Sequence, residues 1–210
     1  KIVQKFIETP LIWGVHVADS SRYQQVKDLK GTKAAISRYG SGSHLMAYLY
    51  AKKHLWNLEE DLKFEVIKNL DGAIEGLTNE KADYFLWEKF TTKPIVDQGI
   101  FRCIDTYPTP WPCFVIAASD SFIKNHAKSL KHILKIINQT TFKFKNIQDI
   151  DQILASRYNQ KLEDIQEWLL LTEWSQCMIK KDTINSIQKA LYGLDIIHKV
   201  ESAEKFMYDI

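Results

Sequence analysis

The residues best placed to do chemistry lie in one short run, Arg38-Tyr-Gly-Ser-Gly-Ser-His44. Apolar Leu45, Met46, Tyr48 and Leu49 follow at helical spacing, so the run opens a helix. The first turn of a helix has unpaired N–H donors and a partial positive charge. Ser41, Gly42 and Ser43 therefore either cradle an anionic or strongly polar ligand group or simply cap the helix. Arg38 can pair bidentately with a carboxylate, sulfonate or phosphate, or bridge Glu88 or Asp71 within the protein. Ser43 beside His44 raises the question of a nucleophile and its base. Adjacent residues on a helix seldom point at one another, so no catalytic residue is assigned. Trp13 and Trp87 offer aromatic walls for a flat or apolar ligand body, as does Trp111, or they are core. Glu88 closes a strand at its carboxyl end, where open α/β sheets bind ligands, and would suit a cationic or hydrogen-bond-donating solute. His126 and His132 are six apart and His44 and His54 ten apart. Neither spacing is that of a zinc helix, so no metal and no cofactor is expected.

These residues need a frame. Residues 33–37 suit one buried strand and 43–54 a helix, with the small-residue loop between them. Residues 2–7 and 11–18 form two strands broken at Thr9-Pro10. In the second, Trp13, Val15 and Val17 share one face and Ile12, Gly14 and His16 the other. Gly14 marks a close approach of backbone or ligand. Further strands fall at 64–67, 83–87, 100–104 and 113–118. Asn69 caps a short helix over 72–79, and another helix lies between Glu88 and Gln98, broken at or starting after Pro94. The strand–helix–strand rhythm predicts an α/β fold with a parallel sheet. Asp19–Tyr23 and the proline-rich Tyr107–Pro112 are the two stretches where the chain would cross between lobes. After Ser119 the chain is helical. Leu130, Ile133, Leu134, Ile137 and Thr141 make one stripe and Lys124, Lys128, Lys131 and Lys135 a solvated one. Helices follow at 149–157, 162–171 and around 184–194, where Gly193 marks an end, and Ser202 caps a last short one.

The bulk properties set limits. With 45% hydrophobic and 26% charged residues in 210, the chain has the composition of a globular protein of one or two domains. A net charge of +2 gives no electrostatic case for nucleic acid. No apolar run approaches the roughly 20 residues of a membrane span. Cys103, Cys113 and Cys177 have no C-x-x-C spacing and are expected to be free and buried.

The run Asp28-Leu-Lys-Gly-Thr-Lys-Ala-Ala-Ile-Ser-Arg-Tyr-Gly-Ser-Gly-Ser-His44 resembles the solute-binding proteins of the nitrate, sulfonate and thiamine-precursor group. So do Gly72-Ala-Ile-Glu-Gly-Leu77, Ala82-Asp-Tyr-Phe-Leu-Trp-Glu88 and Pro110-Trp-Pro-Cys-Phe-Val-Ile-Ala-Ala118. The resemblance covers roughly residues 11–126. It implies a two-lobed type II periplasmic-binding-protein fold with two crossing strands, lobe one from 1–18 and 113–210 and lobe two from 19–112. The family sets a βαβα portion ahead of a strand like Lys1–Ile7. Lobe one is therefore expected to lack its N-terminal portion in this chain, with fewer strands than lobe two and an exposed edge. The implied function is capture of a small polar or heteroaromatic solute by hinge closure, with the membrane subunits of an ABC-type importer as partners. Trp13, Arg38, Ser41, Gly42, Ser43, His44, Asp71, Trp87 and Glu88 would line the ligand site. Two rivals share the fold: the thiamine-pyrimidine synthases, whose cysteine-rich motif is missing here, and the effector domains of LysR-type regulators. The expected location is periplasmic or lipid-anchored for a transporter component and cytoplasmic otherwise.

Overall fold

A computed structural model describes Lys1 to Asp209, and these residues divide into two compact units. One unit comprises Lys1–Pro10 and the chain from Pro110 onward; the other is Leu11–Thr109. The chain thus passes between units at Pro10–Leu11 and Thr109–Pro110. This corrects the expected boundaries at 18/19 and 112/113. Strand β1 (Ile2–Lys5) lies in the first unit, whereas β2 (Ile12–Ala18) is an interior strand of the second, hydrogen-bonded on both edges. Asp19–Tyr23 is a loop inside that same unit. The Arg102 guanidinium holds it, donating to the carbonyls of Asp19 (3.0 Å), Ser21 (2.7 Å) and Tyr23 (3.1 Å).

In the second unit β2 is followed by β3 (Lys33–Ile36), α1 (Gly42–Lys53), β4 (Lys63–Val66), α2 (Leu70–Thr78), β5 (Tyr84–Glu88), α3 (Lys89–Asp97) and β6 (Phe101–Pro108). The sheet order is β4-β3-β5-β2-β6. β3 runs parallel to β4 and β5, while β2 is antiparallel to both β5 and β6. The sheet is therefore mixed, not parallel throughout. The four strands of the strand–helix–strand rhythm share a direction; β2 is reversed because it enters the sheet directly from the crossing, with no helix to turn it round. Pro108 is tolerated in β6 because that strand is at the sheet edge. Val15, Val17, Ile36, Tyr84, Phe85 and Leu86 form the buried centre. α1 reaches the β2 face that carries Trp13, and α3 the face that carries His16. Pro94 sits inside α3, which begins at Lys89 and not after the proline.

Gly14 is needed by that second face. The His16 ring folds back over it, so a Cβ at position 14 would lie 2.4 Å from Cε1 and 2.6 Å from Nε2. The ring is pinned by Thr92 Oγ1 at 2.8 Å from Nε2 and by Phe85 O at 3.3 Å from Nδ1. The close approach foreseen at Gly14 is thus to a side chain of the same strand. Gly14→Ala is expected to destabilise the protein by about 1–3 kcal/mol through overpacking, read as a lower urea midpoint with an unchanged m-value.

The first unit pairs β1 with β7 (Val115–Ala117) in an antiparallel two-stranded sheet, against five strands in the other unit. The second edge of β1 is bonded by irregular chain: Lys5 N–H to Cys177 O (2.9 Å) and Tyr208 N–H to Ile2 O (2.9 Å). Beyond β7 no further strand is paired among the described residues. Four helices follow: α4 (Asp120–Phe144), kinked at His126, α5 (Ile150–Tyr158), α6 (Leu162–Leu171) and α7 (Lys181–Tyr192), with Gly193 at the C-cap of α7. Of the predicted α4 stripe, Leu130 and Leu134 are buried with Ile123 against Val3, whereas Ile133 is exposed. Lys124, Lys128, Lys131 and Lys135 are exposed, as a solvated face should be. The three cysteines are also exposed, which corrects the expectation that they are buried. No described helix is long and apolar enough to cross a membrane.

Candidate functional site

The loop between β3 and α1 is built from its own polar groups. Ser41 N–H donates to Arg38 O (3.2 Å), which closes a turn with Gly40 in the left-handed region at φ +74°. Ser41 is the N-cap of α1, and its Oγ accepts from His44 N–H (3.3 Å). Ser43 Oγ accepts from Ser37 N–H (2.9 Å), tying the end of β3 to the helix, and lies 3.1 Å from Ser41 Oγ. Both hydroxyls are thus occupied internally. Capping accounts for Ser41 and a strand-to-helix tie for Ser43. What remains is backbone: the N–H groups of Gly42 and Ser43 find no acceptor among the described residues. Gly42 is exposed and Ser43 buried at this helix start.

Trp13 comes to the same point from β2. A Cβ on Gly42 would sit 3.2 Å from Trp13 Cη2 and 3.5 Å from Cζ2, so the benzo edge of the indole lies directly against the helix start. Trp13 is only 9% exposed, and its Nε1–H is buried with no partner. An orphaned buried donor costs about 1–3 kcal/mol unless something accepts from it. Trp87 is edge-on to Trp13 at 6.3 Å but stacks on Phe85 at 5.1 Å and packs with the α2–α3 core, which makes it chiefly support. Arg38 is exposed and forms no ion pair among the described residues, so neither of the internal bridges open to it, to Glu88 or to Asp71, is made there.

Two of the acidic residues foreseen at the site stand at helix starts. Glu88 is the N-cap of α3: its carboxylate accepts from Phe90 N–H (3.1 Å), Thr91 N–H (2.7 Å) and Thr91 Oγ1 (2.6 Å). Those bonds commit both oxygens to the helix. Asp71 is exposed in the first turn of α2, where a carboxylate complements the helix dipole. His44 is buried and faces the loop, with Nδ1 accepting from Gly40 N–H (3.1 Å). It does not activate Ser43, whose Oγ is already engaged. The start of α1 therefore offers two backbone N–H groups, with the indole of Trp13 against Gly42 and exposed Arg38 in the same loop, while Glu88 is engaged by α3. No cluster of metal-ligating residues occurs among the described residues. The structure brings Trp13, foreseen as an aromatic wall or as core, against Gly42, and the sequence carried no signal for its orphaned Nε1.

A cavity of about 730 Å³ lies wholly within the other unit, lined by Val3, Gln4, Leu134, Asn138 and Met178 with Lys131 and Lys135 at its mouth. Its buried polar groups are satisfied: Gln4 Nε2 donates to Asn138 Oδ1 (2.7 Å), and Asn138 Nδ2 donates back to Gln4 Oε1 (3.1 Å). Size alone does not outweigh the unsatisfied donors at α1.

A model of the Ca3427-like periplasmic-binding-protein family matches residues 13–107. The solved structure of the Candida albicans CA3427 gene product is 20% identical with a TM-score of 0.86, covering 99% of this chain and 72% of that one. The alkanesulfonate-binding protein SsuA from Xanthomonas axonopodis pv. citri, bound to MOPS, is 14% identical with a TM-score of 0.80, covering 100% and 73%. The desulfurization enzyme DSZB is 10% identical with a TM-score of 0.62, covering 99% and 76%. No curated protein matches the sequence.

Proposed function

We propose that this chain, which has the type II periplasmic-binding-protein fold, captures a small solute through an oxyanion, a sulfonate foremost, at the N-terminus of α1. The observation that carries the reading is the pair of N–H groups at Gly42 and Ser43 without an acceptor among the described residues, at a helix start against which the indole of Trp13 packs. Donors converging on the positive end of a helix select an anion. Arg38 adds charge at the same turn. The heteroaromatic, donor-rich solute that Glu88 would have suited is disfavoured, because that carboxylate is spent on α3. The alkanesulfonate bound by one structural neighbour points the same way. Delivery to an ATP-driven importer outside the cytoplasm belongs to the same proposal and is supported by a structural neighbour described as the periplasmic sulfonate-binding protein of a putative sulfonate ABC transporter. The internal engagement of Ser43 and His44 speaks against an enzyme.

The test is a titration of the whole chain with methanesulfonate, MOPS and an aminopyrimidine, followed by tryptophan fluorescence and calorimetry. Sulfonates should bind saturably and perturb the Trp13 emission. Binding of the aminopyrimidine with none of the sulfonates would overturn the choice of ligand class.

A further inference from the structure

We propose that His44 is the positioning residue of this site: its neutral imidazole holds Gly40 and so fixes the loop that presents the α1 donors, making solute capture fall off in acid. This rests on the reading of the α1 N-terminus as the ligand site, but the device itself is visible without a ligand. Apart from the hydroxyl bonds of Ser41 at the helix cap, the loop from Arg38 to Ser41 is held by two bonds. One is the turn from Ser41 N–H to Arg38 O. The other is Gly40 N–H to His44 Nδ1, at 3.1 Å. A backbone N–H can only donate, so Nδ1 must carry the lone pair and the proton must sit on Nε2. His44 is thus the neutral Nε2–H tautomer.

Its surroundings keep it so. The ring is buried among Tyr39 from the loop (5.2 Å between centroids), Tyr48 from α1 (4.8 Å) and Phe64 from β4 (4.7 Å), all edge-on. Ser41 approaches through the hydrogen bond to the His44 backbone. Tyr39 and Tyr48 are the only titratable side chains among these, and both are neutral in acid. No carboxylate faces the imidazole to stabilise a positive charge, and burial lowers its pKa below the usual 6.5. The neutral form therefore prevails at neutral pH. The ring takes its proton only as the pH falls through that lowered value. Protonation places an N–H on Nδ1, pointing at the Gly40 N–H. Two donors then face each other across 3.1 Å. The bond is lost, and Gly40, in a left-handed conformation that favours glycine, is free to move with Ser41 and Gly42 behind it.

The experiment has a ligand-free arm and a ligand arm. In the first, the Gly40 amide and the His44 ring nitrogens are followed by NMR while the pH is lowered from about 8 to about 5, spanning the usual histidine range. The Gly40 amide should shift along the same curve as the His44 ring. His44→Asn offers Oδ1 where Nδ1 stood and cannot titrate, so its Gly40 amide should keep the bonded shift at every pH. In the second arm, methanesulfonate affinity should fall about 10-fold over this range in the wild type, the loss of one positioning hydrogen bond. It should stay level in His44→Asn. That variant also separates His44 from buried His16, which remains unchanged in it. A Gly40 amide indifferent to the His44 titration would overturn the proposal, as would a wild-type affinity that is level with pH. Absence of methanesulfonate binding at any pH would refute the ligand-site reading instead, and the NMR arm would then decide the role of His44 alone.

Discussion

Gly42→Val is expected to weaken sulfonate binding at least about 100-fold while leaving the fold intact. Two hydrogen bonds to a charged group, at about 1.5–3 kcal/mol each, are at stake, and each 1.4 kcal/mol is about tenfold in affinity. The valine side chain would stand on the exposed position beside the Gly42 and Ser43 N–H groups and press on Trp13, whose Cη2 is already 3.2 Å from the point a Cβ would take. The space over the backbone donors and the seat of the indole are thus changed together. Gly42 lies in the helix with no left-handed backbone angle, so the substitution carries no backbone strain. Being solvent-facing, it should move the unfolding midpoint by a few degrees at most. Gly42→Ala, adding the Cβ alone, should give a smaller loss. Methanesulfonate binding that survives Gly42→Val in a folded protein would remove the site from α1.

Acid should cost the protein about 3 kcal/mol through His16. The ring is buried at the centre of the second unit, beside Phe101 at 6.0 Å, and burial is the main cause that depresses its pKa from 6.5 to about 4. Phe85 O can only accept, so Nδ1 carries the proton, and Nε2 accepts from the Thr92 hydroxyl. The unfolded chain takes up its proton near 6.5 and the folded one only near 4. Stability from this group is therefore fully present above 6.5, declines below it, and is lost as the pH falls through about 4. The interval corresponds to about 3 kcal/mol. Urea unfolding at successive pH values would show the decline in the wild type and a flatter profile in His16→Gln, which starts lower at neutral pH. A wild-type stability that does not change between these limits would show that His16 is not held neutral.

The order of elements in the second unit was legible because it rests on local chemistry. The short apolar run in residues 33–36, the small residues at 40–43 and Asn69 ahead of α2 are signals carried within a few residues. The reversal of β2 was not legible, since strand direction depends on where the chain enters the sheet. Nor was the employment of Glu88. A carboxylate at a strand end suits both a ligand and a helix cap, and Pro94 drew the expected helix start too far along. With the helix beginning at Lys89, the same residue is an N-cap.

The sequence by itself determined that a strand, a glycine–serine loop and a helix follow one another, because capping and periodicity act between near neighbours. Only the tertiary structure decided which groups remain to bind anything. Ser43 is claimed by Ser37 and Glu88 by α3, Trp13 arrives at Gly42 from 29 positions away with a free N–H, and His44 turns to Gly40. Hydrogen-bonding capacity is a property of the residue, but its vacancy is set by every other element that reaches the same place.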